Sequence, residues 1–293
     1  MPLALILSSY VAASRVGGQA QALVLAQAGI EPVLVPTVLF GRHPGWGPPG
    51  GAAVAQETFE GMLGGGEAQG LFTGADLILT GYFANAGQVR AAAQAIDAAR
   101  ARRAEAPNTG KDAAERRRLL VVVDPIMGDA GKGLYVPGEV AEALVSELAP
   151  RADLIAPNAW ELERLSARAV RDADEAREAA QRLGKPALVS SVPHGEAAAA
   201  EIGVVFADSR EAWLAVHARA AKAPSGTGDL LIALFAAALL KAEPRPRALA
   251  RAVGGVAEAV DAANAEGLDE LPLANLGARL FEASPRVRIE RLA

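Results

Sequence analysis

The sequence predicts an α/β fold in which a mostly parallel central sheet is flanked by helices. Apolar runs of strand length alternate with longer Ala-rich stretches of helical period, a pattern typical of βαβ units. The chain has 293 residues, of which 51% are hydrophobic, so it can bury a sizeable core. No repeat or shift in composition marks a boundary, and we therefore expect one domain over residues 1–293.

The predicted strands are short apolar runs bounded by turn residues. In the main sheet we expect strands at Leu3–Ser8, Pro32–Val35, Leu77–Thr80, Leu119–Val123, Leu154–Ala156 and Ala187–Ser190. After Ser191 the alternation stops, and a strand pair is expected at Glu201–Phe206 and Ala212–Val216. The predicted helices cover Gln19–Ala28, Ala52–Leu63, Ala86–Ala104, Glu139–Leu148, Asp172–Leu183, Gly228–Leu240 and Pro246–Ala263.

Two segments interrupt this alternation. Gly41–Gly51 is rich in Gly and Pro, which disfavour both helix and strand, so a loop is expected there. We interpret this loop as a mobile lid, with His43 and Trp46 as the side chains that cover a substrate; an inert surface loop is the alternative. Ala106–Arg118 is polar and ends in three arginines, and it is interpreted as a solvated connection.

Composition excludes several classes of partner and site. The formal net charge is −5 and no basic stripe is evident, so nucleic acid is not expected as a partner. The chain has no cysteine, which excludes disulfides and thiolate chemistry and fits a cytoplasmic protein. The apolar run at Leu3–Leu7 follows no basic residues and is interpreted as a strand rather than a signal peptide. The longest apolar run, Leu230–Leu240, is too short to span a membrane.

The strongest motif is the segment Pro224–Asp229, which reads Pro-Ser-Gly-Thr-Gly-Asp and directly precedes an apolar helix. Glycines at two alternate positions allow a tight turn, so successive amide N–H groups can point toward an anion at the helix N-terminus. Gly226, Thr227 and Gly228 would then bind a phosphoryl group in transfer. Asp229 would accept a proton from the attacking hydroxyl. The alternative is that Asp229 only starts the helix, where Asp is common.

Two further polar groups follow predicted strands. Asp124 comes directly after one strand, where it could hold Mg²⁺ through water or bind phosphates, although a turn Asp before Pro is common. Asn158 and Glu161 follow the next strand, and they could also form a capping box. Together with the Asp229 motif, these residues indicate Mg²⁺-assisted phosphoryl transfer.

Other common nucleotide and metal signals are absent. The Val16–Gln19 segment lacks the glycine spacing of a dinucleotide site. Gly131-Lys132-Gly133 lacks the spacing and the hydroxyl residue of a P-loop. The three histidines show no metal-ligand spacing.

In these motifs the chain resembles the pyridoxal kinases of the ribokinase-like superfamily, over nearly its whole length. The family motif GTGD stands at Gly226–Asp229, the DPxxGD-like segment at Asp124–Asp129, and the PNxxELE segment at Pro157–Glu163. On the substrate side, the likeness extends to Ser9, Pro36-Thr37-Val38 and Thr80-Gly81-Tyr82. The resemblance implies a three-layer sandwich and ATP-dependent phosphorylation of the 5′-hydroxymethyl group of pyridoxal, and of pyridoxine and pyridoxamine.

The resemblance also implies roles for individual residues. The pyridine ring would be bound by Ser9, Thr37, Val38, His43 and Tyr82, with Asp229 facing the hydroxymethyl group. The residues expected around ATP are Asp124, Asn158, Glu161, Ser190, Ser191, Gly226 and Gly228, with Asp124 and Glu161 nearest Mg²⁺. A monovalent cation, K⁺ or Na⁺, and a homodimer are common in the family.

The sequence departs from the family at Gly17-Gly18, where many relatives carry Gly-Asn, and at Ala13, where they carry an aromatic residue. Both departures lie near the expected ring site. A hydroxymethylpyrimidine kinase of thiamine biosynthesis therefore stands as an alternative with the same chemistry. A sugar kinase would need more polar groups in the pocket. A non-catalytic vitamin-binding protein would not require Asp229, Asp124 and Glu161.

Overall fold

The computed structural model describes residues 1–105, 118–194, 200–282, 284 and 286–293. Twelve strands are found in this part of the chain: β1 (Leu3–Val11), β2 (Glu31–Phe40), β3 (Gly51–Ala53), β4 (Leu77–Thr80), β5 (Leu120–Val123), β6 (Gly128–Asp129), β7 (Gly133–Leu134), β8 (Leu154–Ile155), β9 (Ala187–Pro193), β10 (Glu201–Ala207), β11 (Ala212–Ala218) and β12 (Arg288–Leu292). The α-helices are α1 (Gly17–Gln27), α2 (Gln56–Ala68), α3 (Leu71–Gly74), α4 (Ala86–Glu105), α5 (Gly138–Ala143), α6 (Ala159–Ser166), α7 (Ala173–Arg182), α8 (Thr227–Leu240), α9 (Arg245–Ala265) and α10 (Leu273–Leu276).

Ten strands form one sheet in the order β12-β11-β10-β9-β8-β5-β4-β1-β2-β3. The central pairs, from β9 to β2, are parallel, whereas the pairs at both edges are antiparallel. Strand β1 lies between β2 and β4 in the sheet. The chain therefore passes from β1 to its neighbour on one side, β2, and later adds β4 on the other side of β1. Such a change of direction creates a crevice at the carboxyl ends of the strands, where ligands of open α/β sheets bind.

Two apolar clusters cover the two faces of this sheet. Along β1, Leu5 and Leu7 belong to one cluster, and Ala4 and Ile6 belong to the other, as the two-residue period of a strand requires. Helices α2 to α7 pack in the first cluster, and helices α1, α8, α9 and α10 pack in the second. The prediction of a three-layer α/β sandwich with a mostly parallel sheet is confirmed. Within the described part of the chain, no helix combines the length and apolar character that a membrane span requires.

Most predicted elements lie within a few residues of the observed ones, and the corrections are local. The segment Gly41–Gly51 is not wholly irregular, because Pro44–Trp46 forms one 3-10 turn and Gly51 begins β3. The helix predicted from Ala52 begins at Gln56, since Ala52 and Ala53 pair with β2 instead.

Strand β2 extends to Phe40, five residues past its predicted end, because its second half pairs with both β1 and β3. The helix predicted at Glu139–Leu148 changes at Leu144 from α to π geometry. Of the predicted connection Ala106–Arg118, residues 106–117 lie outside the described residues. Arg118 itself forms an ion pair with Asp153 at 2.9 Å.

Candidate active site

Helix α8 begins with the Gly-Thr-Gly-Asp motif, as predicted. Gly226 is the N-cap residue and has φ +94°, in the left-handed region that favours glycine. A Cβ at this position would also lie 2.7 Å from the carbonyl oxygen of Arg15, so a larger residue would separate the two loops. The first N–H groups of a helix have no acceptor within the helix, and the space beside Gly228 is open. The motif therefore presents free amide donors at an exposed helix N-terminus.

Asp229 lies in the first turn of α8 and is partly buried. Its side chain does not cap its own helix. Oδ2 accepts a hydrogen bond from the backbone N–H of Gly17 at 2.8 Å, and Oδ1 accepts one from Gln21 Nε2 at 3.3 Å. Burial raises the pKa of Asp229 to about 6, and the Gly17 N–H opposes this rise. A carboxylate with this pKa is ionised at neutral pH and can accept a proton.

Gly17 starts helix α1 with φ +58°, and a Cβ there would lie 2.0 Å from Ser9 Oγ. Ser9 is nearly buried, at 8% exposure, beneath this glycine. The close approach explains why the sequence has glycine where the two helix N-termini meet. The Gly17 N–H at the N-terminus of α1 thus binds the Asp229 carboxylate, which lies in the first turn of α8.

Asp124 follows β5 and is buried, with its backbone N–H bonded to the Thr80 carbonyl. Burial and the neighbouring carboxylates of Glu161 and Asp229 raise the pKa of Asp124 well above its usual range. The structure therefore brings together three acidic residues from separate segments: Asp124 after β5, Glu161 in the first turn of α6 and Asp229 in the first turn of α8. Their mutual repulsion would be relieved by a bound cation.

Asn158 and Glu161 form the capping box of α6. This is one of the two roles that the sequence suggested for the pair, the other being a place near ATP and Mg²⁺. Glu161 also accepts hydrogen bonds from the N–H groups of Met127 and Gly128 at 2.8 and 3.3 Å. Burial nevertheless raises the pKa of Glu161 to about 7. Asn158 Nδ2 donates to the Gly128 carbonyl at 2.8 Å. The pair therefore fixes the segment after Asp124 as well as its own helix.

Ser190 and Ser191 lie in β9 beside this group. Ser190 pairs with Asn158 in a parallel bridge and donates its N–H to the Pro157 carbonyl at 3.0 Å. Ser191 is exposed and has φ +58°, at the point where the register between β9 and β10 shifts. Such a bulge redirects a side chain out of the sheet.

Three of the predicted ring-binding residues, Thr37, Val38 and Tyr82, lie near the end of β2. Thr37 is fully buried, and its hydroxyl donates to the backbone carbonyl of Tyr82 at 2.6 Å. Val38 is also buried, whereas Tyr82 is partly exposed and burial raises its pKa. Thr37 thus uses its hydroxyl proton to hold Tyr82.

Gln88 organises the same region and was not predicted as a site residue. Its Nε2 donates to the carbonyls of Thr37 and Val54 at 2.9 and 2.8 Å, and its Oε1 accepts from Ala84 N–H at 3.0 Å. Gln88 is fully buried on α4. A buried amide with three partners was not visible in the sequence, because Gln in a helix is usually solvated.

The loop around His43 is held by its own hydrogen bonds. His43 Nδ1 accepts from Gly45 N–H at 3.0 Å, and Arg42 Nε donates to the Pro48 carbonyl at 2.9 Å. Burial lowers the pKa of His43, while the negative charge of Glu270 raises it and Lys132 lowers it further. The imidazole therefore lies near groups from two other loops.

Tyr135 is a second residue near the acidic group that was not predicted as a site residue. Tyr135 is 47% exposed, but partial burial of its phenol raises the pKa, and the carboxylates of Glu161, Asp124, Asp129 and Asp229 raise it further. The hydroxyl hence stays protonated beside the acidic group and can donate to an anion.

The donor set fits a hard divalent cation that also binds phosphate. No group of three or more His, Cys, Asp or Glu side chains arranged to hold a metal occurs in the described residues. Mg²⁺ is commonly bound by one or two carboxylates, with water and substrate phosphates completing its shell. Asp124 and Glu161 supply such a pair, both buried and both with raised pKa values.

The chain is similar in sequence to known kinases. The family described as phosphomethylpyrimidine kinase matches residues 101–273. The chain is 34% identical over 245 residues to the pyridoxine/pyridoxal/pyridoxamine kinase of Bordetella avium, covering 82% of this chain and 78% of that protein. It is 28% identical over 279 residues to the pyridoxal kinase of Deinococcus radiodurans, covering 92% and 89%.

Among solved structures, the pyridoxal kinase of Leishmania donovani in complex with ADP and pyridoxine superposes with a TM-score of 0.87. The two chains are 25% identical, and the match covers 99% of each. The predicted resemblance is confirmed over almost the whole length. The chain therefore belongs to the pyridoxal kinase family of ATP-dependent kinases and has their ribokinase-like fold.

Proposed function

We propose that this protein transfers the γ-phosphate of ATP to the 5′-hydroxymethyl group of pyridoxal, pyridoxine and pyridoxamine, in the salvage of pyridoxal 5′-phosphate. One observation carries the proposal. The Asp229 carboxylate stands in the first turn of α8 and is bonded to Gly17 of another helix rather than to its own. A helix cap has no need of this arrangement, whereas a base must be held toward its substrate.

In the proposed mechanism, the oxygen of the substrate's hydroxymethyl group attacks the γ-phosphorus of ATP, and Asp229 accepts the proton of that hydroxyl. The bond between the γ-phosphorus and the oxygen that bridges it to the β-phosphate breaks, which releases ADP. The amides of Gly226, Thr227 and Gly228 donate to the phosphoryl oxygens, which carry the negative charge of the transition state. The pKa of Asp229, about 6, leaves the base mostly ionised at pH 7. This pKa is also close enough to pH 7 for the carboxylate to bind a proton during phosphoryl transfer.

On the nucleotide side, we propose that ATP lies along the ends of β5, β8 and β9. Asp124 and Glu161 would hold Mg²⁺, which would neutralise charge on the phosphates and orient them. Asn158 supports this arrangement through its bond to Gly128, and Ser190 and Ser191 would contact the nucleotide. Tyr135 is added to the predicted set, since its hydroxyl lies beside these carboxylates.

On the ring side, we propose that Ser9, Tyr82 and His43 contact the vitamer, with Thr37 and Val38 forming the buried wall behind them. His43 belongs to the segment Gly41–Gly51, which would close over the ring and exclude water. The relative from Leishmania donovani binds ADP and pyridoxine together, the pair of ligands that this division of the site requires.

Further properties follow from the family resemblance. We propose a single domain over residues 1–293, a K⁺ or Na⁺ requirement, a homodimer and a cytoplasmic location. The continuous ten-stranded sheet supports the single domain. Adjacent exposed side chains of Tyr10 and Leu39, paired in register on β1 and β2, support an association surface. The absence of cysteine is compatible with a reducing compartment.

A second function is favoured by the family match over residues 101–273, which is described as phosphomethylpyrimidine kinase. Hydroxymethylpyrimidine would be phosphorylated by the same base and anion hole. Steady-state assays of ADP formation with ATP and each ring separate the two. Pyridoxal should show the higher kcat/KM, and the opposite order would assign the chain to thiamine precursors. A protein that binds vitamers without ADP formation would be a binding protein only.

A further inference from the structure

Glu270 lies between helices α9 and α10, far in sequence from the catalytic motifs, and it is partly buried. Its Oε1 accepts a hydrogen bond from Ser14 Oγ at 2.5 Å, and its Oε2 accepts one from the backbone N–H of Arg15. Both donors belong to the loop between β1 and α1, and Ser14 is buried. A single carboxylate thus holds two successive residues of a loop more than 250 positions away.

The backbone of Glu270 contacts the anion-hole loop as well. Glu270 and Ser225 form an isolated parallel bridge, and Ser225 directly precedes Gly226. Gly226 in turn packs so closely on Arg15 that a Cβ would lie 2.7 Å from the Arg15 carbonyl oxygen. Arg15 is therefore held between Glu270 and the anion-hole loop.

The held loop ends at the residue that binds the base. Two positions after Arg15, the Gly17 N–H donates to Asp229 Oδ2 at 2.8 Å. A hydrogen bond to an ionised carboxylate depends on the direction of the N–H, which is set by the preceding backbone. Glu270 fixes that backbone by accepting hydrogen bonds from Ser14 and Arg15.

We propose that Glu270 is a positioning residue, which fixes the loop from Ser14 to Gly17 and so keeps the Gly17 N–H aimed at the Asp229 carboxylate. The proposal rests on the proposed function in one respect, that Asp229 is the base. Glu270 acts through the loop, because its two oxygens are bonded to Ser14 and Arg15.

The proposal is testable because a positioning role and a purely structural role change different quantities. Loss of a correctly aimed base lowers kcat with little change in KM, whereas a general loss of the fold lowers the amount of folded enzyme. The negative charge of Glu270 also raises the pKa of His43, so a pH profile would report His43 as well as Asp229, and the test is therefore made at one pH.

The experiment measures kcat and KM for pyridoxal at pH 7.5 in wild type, Glu270→Ala and Glu270→Gln, with the folded fraction of each protein determined by circular dichroism. In Glu270→Ala, kcat should fall by about tenfold with KM nearly unchanged, because the donor to Asp229 is no longer held. Glu270→Gln retains an acceptor oxygen, so it should recover most of the lost rate.

Glu175→Ala is the matched control, because Glu175 also accepts from a backbone N–H and a side chain, those of Arg171, but at the start of α7. Its kcat and KM should match wild type. If Glu270→Ala fails to fold, Ser14→Ala decides, and it should give a smaller fall in kcat. An unchanged kcat in the folded variant, or no recovery of kcat in Glu270→Gln, would overturn the proposal. Asp229→Asn separates the two claims: if it remains active, the base assignment fails, and if it is inactive while Glu270→Ala keeps the wild-type kcat, only the role of Glu270 fails.

Discussion

Replacement of Asp229 by Asn should change rate and stability in opposite directions. Asn cannot accept the proton of the hydroxymethyl group, so kcat should fall by about 10²–10⁴-fold. That loss corresponds to about 3–5 kcal/mol of transition-state stabilisation. The fold should persist, because the amide oxygen can still accept the Gly17 N–H.

The expected gain in stability follows from the pKa of Asp229. Its folded value of about 6 lies above the usual 3.8, so the folded state binds the proton more tightly than the unfolded state. The ionised carboxylate consequently destabilises the fold above pH 6, and this cost fades as the pH falls toward 4. The rise of this pKa from 3.8 to about 6 corresponds to roughly 1–3 kcal/mol of lost folding stability above pH 6, at most, because solvent that reaches part of the side chain reduces the cost. Asp229→Asn should be more stable than wild type by about this amount at pH 8.

The assay combines initial rates of ADP formation with urea unfolding at pH 4.5 and pH 8. Asp172→Asn is the matched control, because Asp172 is an exposed helix cap that accepts the Glu175 N–H at 2.8 Å. Asn caps a helix about as well as Asp, so this variant should change neither quantity. If Asp229→Asn kept its rate within about threefold of wild type, Asp229 would be a helix-start residue and the reasoning would be refuted.

Three further predictions concern the metal, the loop and the anion hole. Asp124→Ala and Glu161→Ala should each raise the Mg²⁺ concentration that gives half-maximal rate, and an unchanged requirement in both would contradict the metal role. In a background with Trp160→Phe and Trp213→Phe, the fluorescence emission of Trp46, which is 42% exposed, should shift when pyridoxal and a non-hydrolysable ATP analogue bind together. No shift in that background would leave the loop without a closing role. Gly226→Ala should lower kcat by at least tenfold, because φ +94° and the contact with the Arg15 carbonyl both exclude a side chain. A rate near wild type would show that the anion-hole backbone tolerates this change.

The parts of the fold that could be predicted are those whose signal is local. Strands such as β4 and β5 are buried on both faces and read as continuous apolar runs, and their bounds were predicted within one residue. The short edge strands were missed. β3 has three exposed residues, and β12 has the largely charged sequence Arg-Ile-Glu-Arg-Leu, so neither carries the apolar signal of a strand.

The site could be predicted where its residues directly follow strands or begin a helix, as at Asp124 and Asp229. Contacts between distant segments could not be predicted. Glu270 is 255 positions from Arg15, and its segment gives no sign of an active site. Gln88 lies in the first turn of the Ala-rich helix α4. Its burial and its bonds to the Thr37 and Val54 carbonyls depend on how β2 and the residue after β3 pack against that helix.

The central claim is that the Asp229 site phosphorylates pyridoxal in preference to hydroxymethylpyrimidine. The most direct measurement is one competition reaction, with equal concentrations of both rings and limiting ATP, in which the two phosphorylated products are quantified by mass spectrometry. The product ratio equals the ratio of the two kcat/KM values, so no separate rate constants are needed. We predict that pyridoxal 5′-phosphate is the main product and that neither product forms with Asp229→Asn. The claim would be contradicted if hydroxymethylpyrimidine phosphate were the main product, or if Asp229→Asn formed as much product as wild type.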